Sequence, residues 1–366
     1  MTKRTLRENW LYLVILIFLL VFPYIVGLLT ESSPLGVARG DRMIMRGESV
    51  RWQAVFIELF ILAIMAMSYN LLFGFTGVLS FGHALFFGMG GYILGLALEY
   101  TNISDPLAIL VGVILGIGLC GLLGLLIGIV SLRLRGVYFA IFTLAVAEMG
   151  FIFFGRLQLT RAEDGFAITS LPTWIDPSQN RLVFYYIALC CFVMVFLFIR
   201  RLVNSPTGAV LKAVRENEDR AQSIGYDTLR YKLIAITIAG MMAALAGMLQ
   251  VMLNKKVGPE LLAVGNTVDP LLMTIIGGIG TFTGPVIGAT GLHLLDTILR
   301  EATFQIGGVT LVIADIWGLL LGVIFILVVL IFPQGVIGTW QRLRGRRRKP
   351  IVVTQQNQPR IEEAKT

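Results

Sequence analysis

Polar side chains interrupt an apolar, glycine-rich run between residues 68 and 92. The run contains G-F-T-G-V-L-S-F-G-H, which ends at His83. Irregular backbone at membrane depth is tolerated only where it is buried in protein or lines water, so polar groups here could contact a solute. We predict that His83 lines a pathway through the membrane together with Asn70, Thr76 and Ser80. The alternative is that His83 only hydrogen-bonds to a neighbouring helix.

A carboxylate lies inside a second apolar run, residues 137–155, at Glu148. A charged side chain at the centre of a bilayer costs about 2.5–3.5 kcal/mol on insertion scales, so this one must face protein or water. A structural hydrogen bond, with Thr143 or with a polar group of another segment, is the favoured interpretation. We keep Glu148 among the candidate pathway residues because proton coupling through this group stays open.

A second glycine-rich run, M-T-I-I-G-G-I-G-T-F-T-G-P, repeats the tripeptide F-T-G and adds Thr281 and Thr283 to the candidate pathway residues. His293 follows this run as His83 follows the first. Paired glycine- and proline-interrupted segments in two halves of a chain indicate an inverted repeat around a pathway at the membrane midplane. The spacing from tripeptide to histidine differs between the two runs, so the repeat stays a hypothesis.

Motifs for covalent or metal chemistry are missing from the sequence. There is no G-x-x-x-x-G-K-[ST] phosphate loop, no H-E-x-x-H and no Cys/His cluster with metal-ligand spacing. Ser80 lies in L-S-F-G rather than in a G-x-S-x-G nucleophile turn. We therefore predict no catalytic residue, no metal and no cofactor, and a protein that is not an enzyme. Any energy input must come from a partner ATPase or from an ion gradient.

The composition indicates a polytopic helical membrane protein, which is an all-α fold. Of 366 residues 56% are hydrophobic and only 14% are charged, against about a quarter charged in soluble domains. Forty glycines suit close helix packing in lipid. The net charge of +8 is concentrated at the N-terminus, at Arg200 and Arg201 and in residues 342–349. That placement follows the positive-inside rule and gives no reason to expect nucleic acid.

One polar segment, residues 204–230, stands out from this apolar background. Ser205 followed by Pro206 predicts a helix start, and Gly225 predicts a helix end. Between them Val210, Val214, Ala221 and Ile224 would share one face of a single helix, while a break near Asn217 giving two short helices is also open. The charges nearly cancel, and a mixed-sign amphipathic helix suits a protein partner better than anionic lipid.

The segment resembles the cytoplasmic coupling segment of ABC importer permeases of the branched-chain amino acid class, through A-V-R-E-N-E at residues 213–218 and through Ala221 and Ile224-Gly225. Four further blocks look like the same family in the same order: 68–92, 133–148, 273–289 and 332–338. The resemblance implies that residues 204–230 dock into a separate ATPase subunit. The residues it assigns to that contact are Arg215, Glu216, Asn217, Glu218, Asp219, Arg220 and Gly225.

The apolar runs and the basic loops together predict about ten membrane-spanning helices with glycine-rich broken segments. The runs lie near 10–29, 54–73, 79–98, 107–131, 137–155, 182–199, 232–253, 271–299 and 310–332. A single helix over 271–299 would place the basic C-terminal tail outside, against the positive-inside rule. Splitting that run at residues 277–285 gives ten spans and two cytoplasmic termini.

We divide the chain into an N-terminal span with an external loop (1–53), a transmembrane domain (54–340) and a cytoplasmic basic and polar tail (341–366). The resemblance implies an ATP-driven importer of branched-chain or related amino acids that works by alternating access in the inner or plasma membrane. It also implies a second homologous permease, two cytoplasmic ATPase subunits that bind the ATP, and an extracytoplasmic substrate-binding protein. Urea or short amides are the alternative substrates, and a proton-coupled secondary carrier is the alternative of another class; a channel would be expected to show a filter motif, which is not found.

Overall fold

The computed structural model describes residues 3–39, 42–101, 105–300, 303–306, 309–312, 317–332 and 335–339. Most of them form helices. The α-helices are α1 (Lys3–Leu29), α2 (Glu48–Thr76), α3 (His83–Tyr100), α4 (Asp105–Ser131), α5 (Val137–Arg156), α6 (Arg181–Val203), α7 (Pro206–Glu216), α8 (Glu218–Ser223), α9 (Thr228–Asn254), α10 (Gly265–Gly277), α11 (Gly284–Arg300) and α12 (Trp317–Ile331).

Three short antiparallel strand pairs lie, within the described residues, in the connections between helices. They are β1 (Val37–Arg39) with β2 (Arg42–Ile44), β3 (Phe166–Ala167) with β4 (Lys256–Val257), and β5 (Thr303–Ile306) with β6 (Val309–Val312). In the second pair Phe166 is opposite Val257, which ties the connection after α5 to the end of α9. The strands contribute few residues, so the predicted all-α class is confirmed.

Six helices within the described ranges are long and apolar enough to cross a bilayer. They are α1 from Trp10, α2, α4, α5, α6 and α9. The other predicted spans contain shorter helices: α3, α10, α11 and α12. The predicted interruption of the 271–299 run is confirmed, since α10 ends at Gly277 and α11 begins at Gly284. Several predicted boundaries are wrong, because α2 begins at Glu48 instead of 54, α3 at His83 instead of 79, α10 at Gly265 instead of 271 and α12 at Trp317 instead of 310.

Helices α2 and α9 form the centre of the bundle. In their most apolar stretches 83% and 67% of the residues are buried. Glycines let other helices approach them at backbone distance, as expected for helices that pack in lipid. A Cβ at Gly247 of α9 would lie only 1.8 Å from the carbonyl oxygen of Phe87 in α3. A Cβ at Gly90 of α3 would lie 2.4 Å from the carbonyl of Ala244. The glycine content therefore sets the α3–α9 contact.

One end of the bundle carries residues 204–230, which we call the coupling segment. The last turn of α2 reaches this end, because the Gly74 carbonyl accepts a hydrogen bond from Arg215 of the segment. The turn between α10 and α11 lies there too, since a Cβ at Gly280 would collide with the Arg215 guanidinium. Gly335 packs on the same turn, with its Cβ position 2.3 Å from Gly278 Cα.

The N-terminal half of α1 lies at the same end, because the Arg200 guanidinium at the end of α6 stands 5.1 Å from the Tyr12 ring centroid. The strand pair of β3 and β4 lies at the opposite end, where α9 terminates. There the Lys255 ammonium donates to the Asp176 carboxylate at 2.8 Å. Helix α11 runs toward this opposite end from its start at the coupling-segment end, and His293 Nε2 lies 3.1 Å from the Val55 carbonyl in the first part of α2.

The chain is irregular at two places that bear on function. Residues 77–82 connect α2 to α3, and residues 278–283 connect α10 to α11. We call them the first and the second break. The two F-T-G tripeptides occupy different positions in these breaks. Gly77 ends α2 in a left-handed conformation with φ 76°, whereas Gly284 begins α11. The repeated F-T-G tripeptide therefore does not lie at equivalent helix ends.

Candidate functional site

The coupling segment is two helices, as the alternative with a break near Asn217 predicted. The Ser205 hydroxyl accepts a hydrogen bond from the Gly208 N–H at 3.3 Å and caps α7. Asn217 ends α7 with extended backbone and starts α8, because its Oδ1 accepts from the Arg220 N–H at 2.9 Å. Side-chain oxygens of Ser and Asn are preferred at this helix position, so the break is encoded locally.

Gly225 ends α8 as predicted. It has φ +96°, a conformation that side chains with a Cβ rarely adopt. Its N–H bonds to the Gln222 carbonyl at 2.9 Å, and the Tyr226 N–H bonds to the Ala221 carbonyl at 3.1 Å. These two hydrogen bonds form a Schellman motif, which satisfies carbonyls that the helix end would otherwise leave open.

The apolar face of the segment is only partly as predicted. Val210, Val214 and Ala221 are buried together and pack against Tyr231 of α9. Ile224, which was expected beside them, is 66% exposed. Ala221 lies beyond the break at Asn217 and still packs with Val210 and Val214. Ile224 is the residue at which α8 ends, so the buried face does not extend to it.

Glu218 is paired inside the chain. Its Oε1 lies 2.6 Å from the Lys232 ammonium, and it accepts a hydrogen bond from the Thr228 hydroxyl at 3.1 Å. Partial burial acts to raise the pKa of this carboxyl, but the hydrogen bond and the charge of Lys232 outweigh it and hold the pKa below its usual range. Lys232 is only 11% exposed. Glu218 therefore fastens α8 to α9.

Other charges of the segment point outward. Glu216 and Arg220 are exposed, and in the described part of the chain neither forms an ion pair. Asp219 lies 3.8 Å from Arg135 of the α4–α5 connection, with both side chains well exposed. An exposed pair at this distance contributes about 0–1 kcal/mol, so it does not hold the two elements together. Glu216, Asp219 and Arg220 are available to a partner.

Arg215 connects the coupling segment to both breaks. Its Nη1 donates to the Gly74 carbonyl at 2.5 Å, at the end of α2 that leads into the first break. The same atom lies so close to Gly280 of the second break that a Cβ there would be 1.8 Å away. The sequence assigned Arg215 to a contact with another subunit. In the structure it reaches into the membrane-spanning bundle.

Asn70 joins the second break to α2. Its Oδ1 accepts from the Gly280 N–H at 2.9 Å, and its Nδ2 donates to the Thr281 carbonyl at 3.0 Å. Asn70 is buried, and an amide that satisfies two backbone groups of a turn fixes that turn in place. Asn70 and Arg215 therefore hold the second break between them.

The hydroxyls predicted to line a pathway bond to nearby backbone. Thr76 donates to the Leu72 carbonyl, Thr281 donates to the Gly278 carbonyl, and the Ser80 hydroxyl accepts from the Gly82 N–H. Thr283 precedes α11, and its carbonyl accepts the Ile287 N–H. Ser80 and Thr76 are buried, whereas Thr281 and Thr283 are half-buried. These contacts stabilise the breaks and do not test the predicted pathway role.

His83 lies wholly inside the bundle at the first residue of α3, 0% exposed. Its ring centroid is 4.8 Å from that of Tyr69. Neither ring nitrogen of His83 nor the Tyr69 hydroxyl makes a hydrogen bond of normal geometry to any described group, although the Ser68 backbone approaches the ring. Buried polar atoms without partners cost about 1–3 kcal/mol each, which makes this pair unusual for a residue that only packs.

Glu148 is half-buried in the middle of α5. The hydrogen bond expected from Thr143 is absent. The Thr143 hydroxyl instead donates to the Ala140 carbonyl and accepts from the Phe81 N–H at 3.1 Å. Five residues on an α-helix turn through about 140°, so side chains 143 and 148 lie on different faces. Within the described residues Glu148 makes no hydrogen bond or ion pair.

A cleft of about 630 Å³ opens at the coupling-segment end. The first break, the start of α5 and the α7–α8 corner line it, and its charged wall consists of Arg135, Arg215, Glu216, Glu218 and Lys232. Thr76 lies at its edge. The cleft places the coupling segment, the first break and α5 around one space, whereas His83 lies apart from it. Within the described ranges no group of three or more His, Cys, Asp or Glu side chains could hold a metal ion.

Sequence reasoning missed several residues of this site. Lys232 and Thr228 partner Glu218, and Tyr69 partners His83. Thr267 of α10 is also part of the site. Its hydroxyl accepts a hydrogen bond from the Ala84 N–H at 2.8 Å and holds the start of α3 against α10. Lys232 lies just inside an apolar run, where a charged side chain is expected to be paired. Of these residues, it is therefore the one whose ion pair could have been predicted from the sequence.

Comparisons with known proteins agree with this architecture. The sequence model of the family described as "Branched-chain amino acid transport system / permease component" matches residues 53–329. The probable branched-chain amino acid transport permease protein LivM of Methanocaldococcus jannaschii is 27% identical over 308 residues, covering 75% of this chain and 89% of that protein. BraD, a high-affinity branched-chain amino acid transport system permease of Pseudomonas aeruginosa, is 25% identical over 289 residues, or 75% of this chain and 91% of that protein.

LivM of Salmonella typhimurium is 27% identical over 287 residues, which cover 69% of this chain and 65% of that longer protein. No solved structure matches the chain. The matched region begins inside α2 and ends inside α12, so it contains both breaks and the coupling segment. This chain therefore belongs to the family of permease components of branched-chain amino acid transport systems.

Proposed function

We propose that this chain is a transmembrane subunit of an ATP-driven importer that moves branched-chain or related amino acids into the cell by alternating access. The observation that carries the proposal is the Arg215 contact. An amphipathic segment with outward charges is joined by this one side chain to the end of α2 and to the second break. A force applied to the segment from outside the bundle would reach the two irregular places in the membrane-spanning part.

The proposed partners are two cytoplasmic ATPase subunits, a second homologous permease and an extracytoplasmic substrate-binding protein. Glu216, Asp219 and Arg220 would meet the ATPase, because they are exposed and of mixed sign, and charge complementarity fixes register at such contacts. Arg215 and Glu218 act on this chain's own side of the contact. ATP would be bound by the ATPase subunits, and this chain would hydrolyse none.

Orientation follows from the positions of basic residues. Arg133 and Arg135 lie in the connection between α4 and α5, and Arg200 and Arg201 lie in the last turn of α6, all at the coupling-segment end. Cytoplasmic loops carry an excess of Lys and Arg, so we assign this end to the cytoplasm. Tyr12 and Gly335 lie at the same end, which supports two cytoplasmic termini in an inner or plasma membrane.

The substrate class is proposed from the relatives. LivM and BraD are named as branched-chain amino acid permeases, and no side chain described in this structure selects between these solutes and urea or short amides. Selection would lie largely in the binding protein. A proton-coupled carrier that uses Glu148 remains the alternative of another class.

The test is uptake by native cells with and without this chain. Cells lacking the chain should lose uptake of radiolabelled leucine, isoleucine and valine but keep uptake of urea. With the chain present, uptake should survive a protonophore when ATP is supplied by fermentation and should stop when ATP is depleted. Loss of urea uptake alone would transfer the proposal to that substrate. Uptake that stops with the protonophore and persists without ATP would establish the proton-coupled carrier.

A further inference from the structure

Helix α1 precedes the region that matches the permease family, which begins at residue 53. Its stretch from Trp10 to Leu29 is apolar enough to cross a bilayer, and only 17% of the residues in the most apolar part are buried. Lipid is as apolar as the side chains of such a helix, so the hydrophobic effect alone does not hold it against its neighbours. Its place in the bundle therefore depends on specific contacts, which occur at two levels of the membrane.

The first set of contacts surrounds Pro23, which lies inside α1. Proline has no N–H, so the Leu19 carbonyl one turn earlier lacks its helical hydrogen-bond partner. In a membrane such a carbonyl has to find another donor. The Tyr185 hydroxyl of α6 donates to the Leu19 carbonyl at 2.7 Å, and the Tyr186 hydroxyl donates to the Leu20 carbonyl at 2.9 Å. The proline thus creates an acceptor in α1, and α6 supplies the donor. We call this contact the Pro23 joint.

Helix α2 fixes the same part of α1. The Ser49 hydroxyl donates to the Pro23 carbonyl at 2.8 Å, and Ser49 and Pro23 are both buried. One residue earlier in α1, the Phe22 ring centroid lies 4.1 Å from that of Phe56 in α2. The second half of α1 is therefore attached to α2 and to α6 through polar and aromatic contacts together.

The second set of contacts lies nearer the coupling-segment end. The Tyr12 ring of α1 lies 5.7 Å from the Phe196 ring of α6, centroid to centroid. The Arg200 guanidinium, one turn further along α6, stands 5.1 Å from the Tyr12 ring, where a cation is attracted to the aromatic face. The Phe196 ring in turn lies 4.5 Å from the ring of Phe282 in the second break. Tyr12, Phe196 and Phe282, which we call the aromatic row, connect α1 through α6 to the second break.

The aromatic row reaches the second break at a residue different from those that hold it elsewhere. Asn70 and Arg215 contact the break at Gly280. Phe282, two residues later, packs its side chain on Phe196 of α6. Helix α6 also leads directly into the coupling segment. A movement of that segment would therefore reach the second break by two routes, one through Arg215 and one through α6.

We propose that α1 is a positioning helix for transport, which holds α6 through the Pro23 joint and fixes the second break through the aromatic row. The inference rests on the proposed function. The break follows the coupling segment only if the elements on both sides of it are held, and aromatic rings in contact resist sliding because their favourable geometries are few. Tyr12, Phe196 and Phe282 are thus positioning residues, which act on transport through the second break.

Leucine uptake per ATP hydrolysed tests the aromatic row, in the complex purified from native membranes and reconstituted into vesicles. Tyr12→Leu should lower this ratio about fivefold, as expected for the loss of one aromatic contact, while assembly and ATP hydrolysis stay normal. Tyr12→Phe keeps the ring and should keep the native ratio. Phe22→Leu is the matched control, because it removes an aromatic contact of the same helix with α2 and should leave the ratio unchanged. A native ratio in Tyr12→Leu, or equal losses in Tyr12→Leu and Phe22→Leu, overturns the proposal.

Phe282→Leu, at the other end of the row, provides an independent variant if Tyr12→Leu assembles poorly. It should lower the ratio in the same way. Tyr12 and Phe282 act in series through Phe196, so the double variant should lose no more than the weaker single variant. A loss in the double variant that equals the product of the two single losses would show independent effects and would overturn the row.

The Pro23 joint is tested by Tyr185→Phe combined with Tyr186→Phe, which removes both hydroxyls and keeps both rings. The ratio should fall, and adding Tyr12→Leu should lower it little further, because α1 has already lost its place. An unchanged ratio would overturn the joint as a positioning contact. If the native complex takes up leucine with ATP and every row and joint variant keeps the native ratio, only this inference fails. If the native complex shows no ATP-driven leucine uptake, the proposed function fails, and this inference fails with it.

Discussion

The Glu218 carboxylate contacts the Lys232 ammonium at 2.6 Å across the corner between α8 and α9. This ion pair belongs to the chain itself, although Glu218 lies in the row of charges that resembles an ATPase contact. The segment therefore contains charges of two kinds. Glu218 holds the segment to the bundle, and Glu216, Asp219 and Arg220 face outward. Mutations in the two groups should have different consequences.

Glu216→Arg tests the outward group. The partner surface is expected to be complementary to the native Glu216 carboxylate, so the substitution places like charges together. Such a contact can cost several kcal/mol. About 1.4 kcal/mol corresponds to a tenfold change in affinity. The permease should appear in the membrane at normal level and keep its thermal stability. The ATPase should be retained on purification at least tenfold more weakly, and uptake should fall. Unchanged retention by Glu216→Arg, Asp219→Arg and Arg220→Glu would mean that the segment does not dock.

Glu218→Gln and Lys232→Met test the inward group. Each leaves a partly buried charge without its partner, which costs about 3–5 kcal/mol in a buried pair and less here because Glu218 is partly exposed. The α7–α8 corner should become more sensitive to protease in the purified chain without any ATPase present. The double variant should recover part of the loss. Additive losses would show that the two side chains act independently.

Arg215→Lys tests transmission from the segment to the breaks. A lysine keeps the charge but lacks the planar fork of donors that reaches the Gly74 carbonyl. A hydrogen bond from a charged donor contributes about 1.5–3 kcal/mol, so coupling should weaken on the order of tenfold. ATP hydrolysis by the assembled complex should continue while uptake per ATP falls. Arg220→Lys is the matched control, and an equal effect of both would assign Arg215 to the docking surface only.

His83→Leu and Tyr69→Phe separate a pathway role from a packing role. If His83 lines the pathway, His83→Leu abolishes uptake while the complex still assembles and hydrolyses ATP. If it only packs, replacing a buried, unpartnered imidazole by an apolar group should stabilise the chain by about 1–3 kcal/mol and leave uptake normal. Tyr69→Phe removes one hydroxyl with little change of shape and should follow the same pattern. Thermal unfolding in detergent and uptake in cells are the two measurements.

The Asp176–Lys255 contact predicts a dependence on pH at the end opposite the coupling segment. Burial acts to raise the pKa of Asp176, but hydrogen bonds from Lys255 and Ser178 outweigh it and lower the pKa below its usual value. A carboxyl with a depressed pKa adds stability above the unfolded-state pKa of about 3.9, and that stability is lost as the pH falls through the lower folded-state pKa. Asp176→Asn should lower the melting temperature at pH 7 and lose this effect at a pH below the depressed folded-state pKa. An equal effect at both pH values would contradict the pairing.

Cysteine labelling tests the topology. Gln305→Cys, between α11 and α12, should react from outside with an impermeant thiol reagent in a background without native cysteines. Leu343→Cys, in the basic tail beyond the described residues, should react only after permeabilisation. The expectation rests on the positive-inside rule and on the place of Gly335 at the coupling-segment end. Labelling of residue 343 in intact cells would show that the tail lies outside. The chain would then have one span fewer or more than the ten predicted.

The sequence alone determined features that depend on residues near one another in the chain. Composition indicated the membrane-spanning all-α class. Ser205, Pro206 and Gly225 predicted the limits of the coupling segment, because caps act on the adjacent backbone. The glycines and Pro285 predicted the second break. The helix limits and the second break follow from local backbone chemistry. The membrane-spanning class follows from the apolar environment that this composition requires.

The tertiary structure decided which polar groups meet. Arg215, which the sequence predicts to contact a partner, also donates to the Gly74 carbonyl, about 140 residues earlier in the chain. Glu218 pairs with Lys232 of another helix. The Glu148–Thr143 contact, in contrast, could have been excluded from the sequence, because residues five apart lie on different faces of a helix. Ile224 is exposed because α8 ends there, whereas Ala221 one turn earlier stays buried. Long-range pairs depend on how helices pack through glycine contacts such as Gly247 with Phe87, and a linear sequence does not record which helices become neighbours.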